Sequence, residues 1–160
     1  MEVHFNILPD QSKVWMYQSK NAFTEEQQKV IYELAEVFLG EWESHKIPVQ
    51  GSIDILNNQF IRVAAFTDEP SMCGKAQDGQ VRLIKELEQE LDLDLTNRML
   101  LAFEIEGATK IFHLNDLDSA IEKAELSSDS TFYNNLIQSK SDYIQNWKEE
   151  ASKTWLNKYF

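Results

Sequence analysis

Ser52-Ile53-Asp54-Ile55-Leu56-Asn57-Asn58-Gln59-Phe60-Ile61-Arg62-Val63-Ala64-Ala65-Phe66 decides the fold. Apolar residues alternate on both sides of an Asn-Asn-Gln break, the pattern of two strands joined by a turn. Pairing chemistry sets the register. A two-residue loop at Asn57-Asn58 would set Asp54 against Ile61 and Ile53 against Arg62, both mismatched. A three-residue loop, Asn57-Asn58-Gln59, sets Ile55 against Ile61, Ile53 against Val63 and Asp54 against Arg62. Opposite charges across a strand pair contribute roughly 0.2–1 kcal/mol, and a one-residue slip turns every side chain to the wrong face. Asn tolerates the left-handed backbone such a loop needs. The longer loop is therefore expected.

Met99–Ile105, then Glu106-Gly107-Ala108, then Thr109–Phe112 repeat the pattern. The same logic predicts a three-residue loop over 106–108, with Glu104 facing Lys110 and Phe103 facing Ile111. Between the hairpins lie a polar loop, residues 68–79, and a helix over 80–91. Val81, Ile84, Leu87 and Leu91 form the inner face of that helix.

Working toward the N-terminus, Thr24-Glu25-Glu26-Gln27 matches a capping box. It opens a helix over 24–45, with an apolar stripe of Ile31, Leu34, Ala35, Phe38, Leu39 and Trp42. His45 follows Trp42 on that stripe. Val14–Ser19 reads as a strand before it. The order is β-α-β-β-α-β, which predicts an α+β fold with a ferredoxin-like βαββαβ core and an added edge strand at 109–113. From Ala108 to Phe160 there is no Gly and no Pro. Helices are expected there, one over 116–126 and one or two more carrying Phe132, Leu136, Tyr143, Ile144, Trp147, Trp155 and Tyr159.

Length suits one domain over residues 1–160. The net charge of −12 argues against nucleic acid and against an anionic membrane surface, since both need a basic footprint. A protein partner, a homodimer or a small molecule remains compatible. Cys73 is the only cysteine, so no internal disulfide forms, which fits a cytoplasmic setting. The first residues do not read as a signal peptide, and no 18-residue apolar run occurs.

Nothing in the chain carries a complete catalytic or cofactor motif. Gly74-Lys75 belongs to no phosphate loop, because residue 69 is Glu and residue 76 is Ala. There is no G-x-G-x-x-G, C-x-x-C, H-E-x-x-H or G-x-S-x-G, so no cofactor, metal or catalytic residue is expected. Asp92-Leu93-Asp94 and Asp116-Leu117-Asp118 read as solvated turns near helix ends rather than cation sites. Lys75 beside Cys73 would favour its thiolate.

The candidate site lies on the sheet. If Ile53, Ile55, Ile61 and Val63 face the helices, then Asp54, Leu56, Phe60, Arg62, Ala64 and Phe66 face away. Glu104 is expected to share that outer face, and Tyr17 lies on one side of the first strand. Arg62, Asp54, Tyr17 and Glu104 would suit a small polar ligand, with Arg98 anchoring an anion and Asp78 opening the second helix. The alternative is that C-terminal helices cover this face and its charges only pair with each other. The tail, Trp155–Phe160, is a docking strip if exposed and a core closure if folded back.

The chain resembles an uncharacterised family of small bacterial proteins often labelled ABC transporter ATPases. The resemblance is carried by Trp15-x-Tyr17-Gln18-Ser19, by Phe38 with Trp42-x-x-His45, by Phe60, by Asp78-x-x-Val81 with Ile84-Lys85, and by Arg98 and Trp155. The family pattern has Gly-Cys-Ser-Ile-Asp where this chain has Lys75 and a cysteine five residues before Asp78. An ATPase of that type needs the phosphate loop that is missing, so the label is not carried over. Two functional readings follow. The first is a non-enzymatic binding or interaction domain using the sheet face, the 68–79 loop or the tail. The alternative is a small enzyme or metabolite binder using the six residues named above.

Overall fold

In the computed structural model, which describes residues 1–68 and 72–160, Asp54 faces Arg62 across the first hairpin, with Ile53 against Val63 and Ile55 against Ile61. The loop is Asn57-Asn58-Gln59, and both asparagines take positive φ, 52° and 56°. The elements in chain order are β1 (Lys13–Gln18), α1 (Glu25–Glu41), β2 (Glu43–Ser44), β3 (Ile47–Pro48), β4 (Gln50–Leu56), β5 (Phe60–Phe66), α2 (Gly74–Leu91), β6 (Leu100–Ile105), β7 (Ala108–His113), α3 (Leu117–Glu122), β8 (Thr131–Tyr133), α4 (Lys140–Asn146) and β9 (Lys148–Glu150). The protein is α+β with antiparallel sheets.

α1 starts as expected. Thr24 Oγ1 accepts from the Gln27 N–H, and Gln27 Oε1 accepts from the Thr24 N–H. It ends at Glu41, not near 45. Trp42 leaves in an extended conformation, and His45 and Lys46 (φ 51° and 67°) turn the chain between β2 and β3. His45 is therefore an exposed turn residue rather than part of the helix stripe. The Trp42 indole wedges between the helices and donates to Ala76 O at 2.8 Å. Gly51 passes beneath it. A Cβ there would lie 2.7 Å from Leu39 Cδ2 and 3.0 Å from Trp42 Cε3, so any larger residue must push the Leu39 tip and the indole aside.

α2 begins at Gly74, six residues before the expected start, so residues 74–79 are helix rather than loop. Cys73 is its N-cap, its Sγ accepting from the Ala76 N–H at 3.4 Å. Sulfur is a weak acceptor, and cysteine gives no ordinary capping signal. The expected loop at Glu69, Pro70 and Ser71 lies outside the described residues.

The second hairpin differs from expectation. Its loop has two residues, Glu106-Gly107, both at positive φ (52° and 79°), so Glu104 faces Thr109 and Phe103 faces Lys110. Two successive left-handed residues ending in Gly make the turn whose twist matches paired strands. That geometry outweighs one exposed Glu–Lys pairing.

Among the described residues three sheets form: β1-β5-β4, a four-stranded second sheet β7-β6-β8-β9, and the small ribbon β2-β3. A ferredoxin-like order would put β6 beside β1. Here β6 pairs with β7 and β8 instead. The tail is less helical than expected. α3 and α4 are short, and Thr131-Phe132-Tyr133 is a strand. A β-branched and aromatic triplet suits a strand better than a helix, and this one pairs with β6 on one side and β9 on the other.

Three apolar clusters follow from these layers. The first holds Ile31, Leu39, Ile53, Ile61, Val63, Ile84 and Leu87 between the helices and β1-β5-β4. The second lies between the sheets and joins Val14, Met16, Phe60 and Ala64 to Ala102, Tyr133 and Trp147. The third packs Leu101, Phe103, Leu117, Phe132 and Leu156 on the far face of the second sheet. No helix among the described residues is long and apolar enough to cross a membrane.

Candidate functional site

The outer face of β1-β5-β4 is sealed. Phe60 and Ala64 are fully buried, and Tyr133, Ile137, Tyr143 and Trp147 pack over them. Arg62 and Asp54 meet as expected, Nη2 to Oδ2 at 2.9 Å. The guanidinium also lies 3.5 Å above the Phe5 ring and 4.9 Å from that of Tyr143. Its side chain is only 12% exposed, against 39% for Asp54. Arg62 Nε is buried without a hydrogen-bond partner, so cation–π contact is its main compensation there. This pair clamps the N-terminal arm onto the sheet, and neither residue lines any of the four clefts described below.

Glu104 lies elsewhere. It sits in the second sheet and pairs with Lys148 at 3.0 Å. Hydrogen bonding to this carboxylate raises the Lys148 ammonium above its ordinary range. Asp78 is exposed on α2, inside the helix instead of opening it. The six nominated residues therefore form no single site.

Two of them do converge. Tyr17 points to the helix face, opposite to Arg62, and its hydroxyl donates to Gln80 Oε1 at 2.6 Å. Burial pushes that hydroxyl above its ordinary range, against the bond to Gln80 and the nearby Arg98 charge, which pull it down. Tyr17 is thus a fixed neutral donor at neutral pH. Tyr17 and Arg98 line one cleft of about 350 Å³, whose apolar wall is Leu100, Leu101, Phe132, Leu136 and Trp155. The cleft exists because β6 does not pair with β1. Beside β1, the chain is bridged at Val14 N–H to Gln138 O and Lys13 to Ser139. Farther along, Gln18 Nε2 donates to Leu100 O at 2.7 Å, and Asn135 Nδ2 donates to Gln18 Oε1 at 2.8 Å. Trp147 Nε1 fixes Asn135 from behind, at 3.0 Å to Oδ1.

Leu100, Asn135 and Leu136 were absent from the sequence-level candidates. Asn134-Asn135 inside an otherwise helical pattern is a turn signal that could have singled them out. The tail folds back, with Leu156 fully buried, but Trp155 remains 38% exposed at the cleft mouth.

A second cleft runs between α1, the β2–β3 turn and the start of α2, lined by Phe38, Trp42, His45, Cys73 and Arg82. Cys73 is half-buried. The Ser44 hydroxyl holds its thiol below the ordinary range, helped by the backbone N–H groups of Ala76, His45 and Lys75, against partial burial. A lowered thiol means more thiolate at neutral pH. Iodoacetamide should therefore label Cys73 with a rate–pH midpoint below that of an ordinary thiol. Ser44→Ala should move the midpoint up. A midpoint at or above the value for the unfolded chain would contradict this electrostatic account.

Among the described residues, no three His, Cys, Asp or Glu side chains are grouped to hold a metal ion. Comparison of the chain with protein-family models, with curated proteins and with solved structures finds no match.

Proposed function

We propose that the chain is a non-enzymatic binding domain whose ligand seats in the cleft between the edge of β1 and β6. One observation carries the reading. Leu136 and Trp155 stand 56% and 38% exposed at the mouth of a concave, largely apolar cleft of about 350 Å³. Large apolar side chains held in water around such a cleft mark a binding surface, and ligand sites begin at roughly 300 Å³. Among the described residues the cleft walls carry no carboxylate, histidine or thiol to act as base or nucleophile. That supports binding over catalysis.

β1, α1, β4, β5 and α2 are read as a ferredoxin-like core whose fourth strand has left the β1 edge, and the cleft is what its departure opens. Membership of the resembled bacterial family belongs to the same proposal. Of the residues that carry it, Tyr17, Gln18, Arg98 and Trp155 line the cleft. A cytoplasmic setting suits the single free thiol. A net charge of −12 supports a protein or small-molecule ligand over nucleic acid.

A fragment screen by amide NMR tests the seat. Apolar fragments should shift the resonances of Leu100, Leu136 and Trp155, and exposed Leu136→Asp should abolish those shifts while leaving the melting temperature within about 2 °C of wild type, as expected for a surface change. Hits that map elsewhere, or survive Leu136→Asp unchanged, would remove the cleft from consideration.

A further inference from the structure

We propose that this cleft takes a small amphipathic carboxylate, with an apolar ring or short acyl chain in the inter-sheet cavity and the carboxylate at Arg98. The inference rests on reading the cleft as the ligand seat and adds the chemistry of the ligand. Its basis is where charge is missing. The chain has 27 acidic and 15 basic residues. Yet among the described residues the walls of the cleft hold no Asp or Glu, and their charged member is Arg98. A neighbouring, more polar recess of about 370 Å³ along β1 shares Tyr17, Arg98 and Asn135 and adds Lys13, again with no carboxylate among the described residues that line it. Two further clefts are different. One carries Glu41, Glu43 and Glu86, and the other carries Glu104. In an acidic protein, a cleft lined by Arg98 and an adjoining recess lined by Arg98 and Lys13, with no carboxylate among the described lining residues of either, are complementary to an anion.

The neutral groups of the cleft point the same way. Tyr17 O–H, Gln18 Nε2 and Asn135 Nδ2 are all committed to partners within the protein. They shape the wall and leave recognition of charge to Arg98 and Lys13. Arg98 makes no ion pair among the described residues. Glu88 is the nearest acid to enter the account, through its effect on Tyr17. Its Oε2 accepts from Leu95 N–H and Thr96 Oγ1–H, at 2.9 and 3.3 Å, so the carboxylate is committed to these two rim residues and does not itself line the cleft. Apolar Leu100, Phe132 and Trp155 then receive the body of the ligand. A guanidinium is the side chain best matched to a carboxylate, which it grips through two parallel bonds.

Isothermal titration of the full chain with 4-phenylbutyrate, its neutral counterpart 4-phenylbutan-1-ol, and the dipeptide N-acetyl-Leu-Phe with a free carboxylate tests this. The carboxylates should bind about tenfold tighter than the alcohol, a difference of roughly 1.4 kcal/mol. Arg98→Met should erase the difference while keeping the weaker apolar binding. Arg98 is exposed, so the variant keeps its fold. A preference for phenylbutyrate identifies a free acid, and a preference for the dipeptide identifies a chain terminus; either supports the carboxylate. Equal binding of acid and alcohol, or a preference unchanged by Arg98→Met, overturns the anion while leaving the cleft as an apolar seat. Binding of none of the three at millimolar concentration overturns both.

Discussion

Phe60→Ala is expected to lower the unfolding free energy by about 3–5 kcal/mol, the cost of removing a large ring from a packed core. Phe60 is fully buried. Its ring lies 4.8 Å from that of Tyr133 and meets Trp147 edge-on at 5.0 Å. The two partners come from the C-terminal third, so the side chain joins the sheets. Truncation would open a cavity that neither rigid sheet can close. Urea denaturation measures the loss, and Phe60→Leu should cost clearly less because more of the volume is kept. Ile144→Ala is the control. Ile144 is exposed, so its removal should stay within about 0.5 kcal/mol. Were the outer sheet face open to solvent, Phe60→Ala would resemble that control. A loss below about 1 kcal/mol would therefore reject the sealed face and restore the sheet surface as a candidate site.

That face shows what local pattern reveals and where it stops. Alternation in β4 and β5 predicts which side chains share a side, and they do. Ile53, Ile61 and Val63 pack with the helices, while Phe60 and Ala64 pack away from them. Alternation is a property of one strand and its neighbour. It carries nothing about which distant segment arrives to cover a face. The covering residues, Tyr133, Ile137 and Trp147, sit in a tail whose apolar spacing imitates a helix. The two hairpins make the same point with opposite outcomes. At the first, loop chemistry and cross-strand charge agree on one register. At the second, Glu104 and Lys110 favour one register and Glu106-Gly107 favours another. The backbone requirement prevails, because an exposed ion pair contributes little and Lys148 supplies Glu104 with another partner.

The candidate cleft is harder to read from sequence than the sheet face. Tyr17 and Arg98 stand out as polar residues in strand and loop, and they do meet. They line a cleft between β1 and β6, two strands that do not pair with each other. Its wall also holds Asn135, bonded to Gln18, 117 residues away in the chain. No short window holds that information. That no carboxylate among the described residues lines the cleft is likewise a property of assembled walls, invisible in a composition where acids outnumber bases 27 to 15.

Lys140→Met is expected to cost about 3 kcal/mol, although methionine matches most of the length of the side chain and supplies no new charge. Lys140 is a buried lysine at the start of α4. Its ammonium donates to three backbone carbonyls of the N-terminal arm, Phe5 O at 3.0 Å, Asn6 O at 3.1 Å and Leu8 O at 2.7 Å. An ammonium has three protons, and here each has an acceptor. The Phe5 ring lies 5.0 Å from the same nitrogen. Two further bonds hold the arm to α4, Lys140 N–H to Ser12 O and Ser141 N–H to Asp10 O. Methionine would leave the carbonyls facing a thioether with no proton to give. Hydrogen bonds to a charged donor contribute roughly 1.5–3 kcal/mol each and do not add fully, and unpaired buried acceptors cost more than absent ones. Lys148→Met is the matched control, because Lys148 is exposed and its pairing with Glu104 should be worth less than about 1 kcal/mol. Hydrogen exchange distinguishes the cause. In Lys140→Met the Leu8 amide, bonded to Phe5 O, should exchange much faster as the arm detaches, with amides of Ile61 and Val63 following only the global loss. Equal stability of the two methionine variants would show that the arm is held by Phe5 and Leu8 packing alone, with the ammonium replaceable by water.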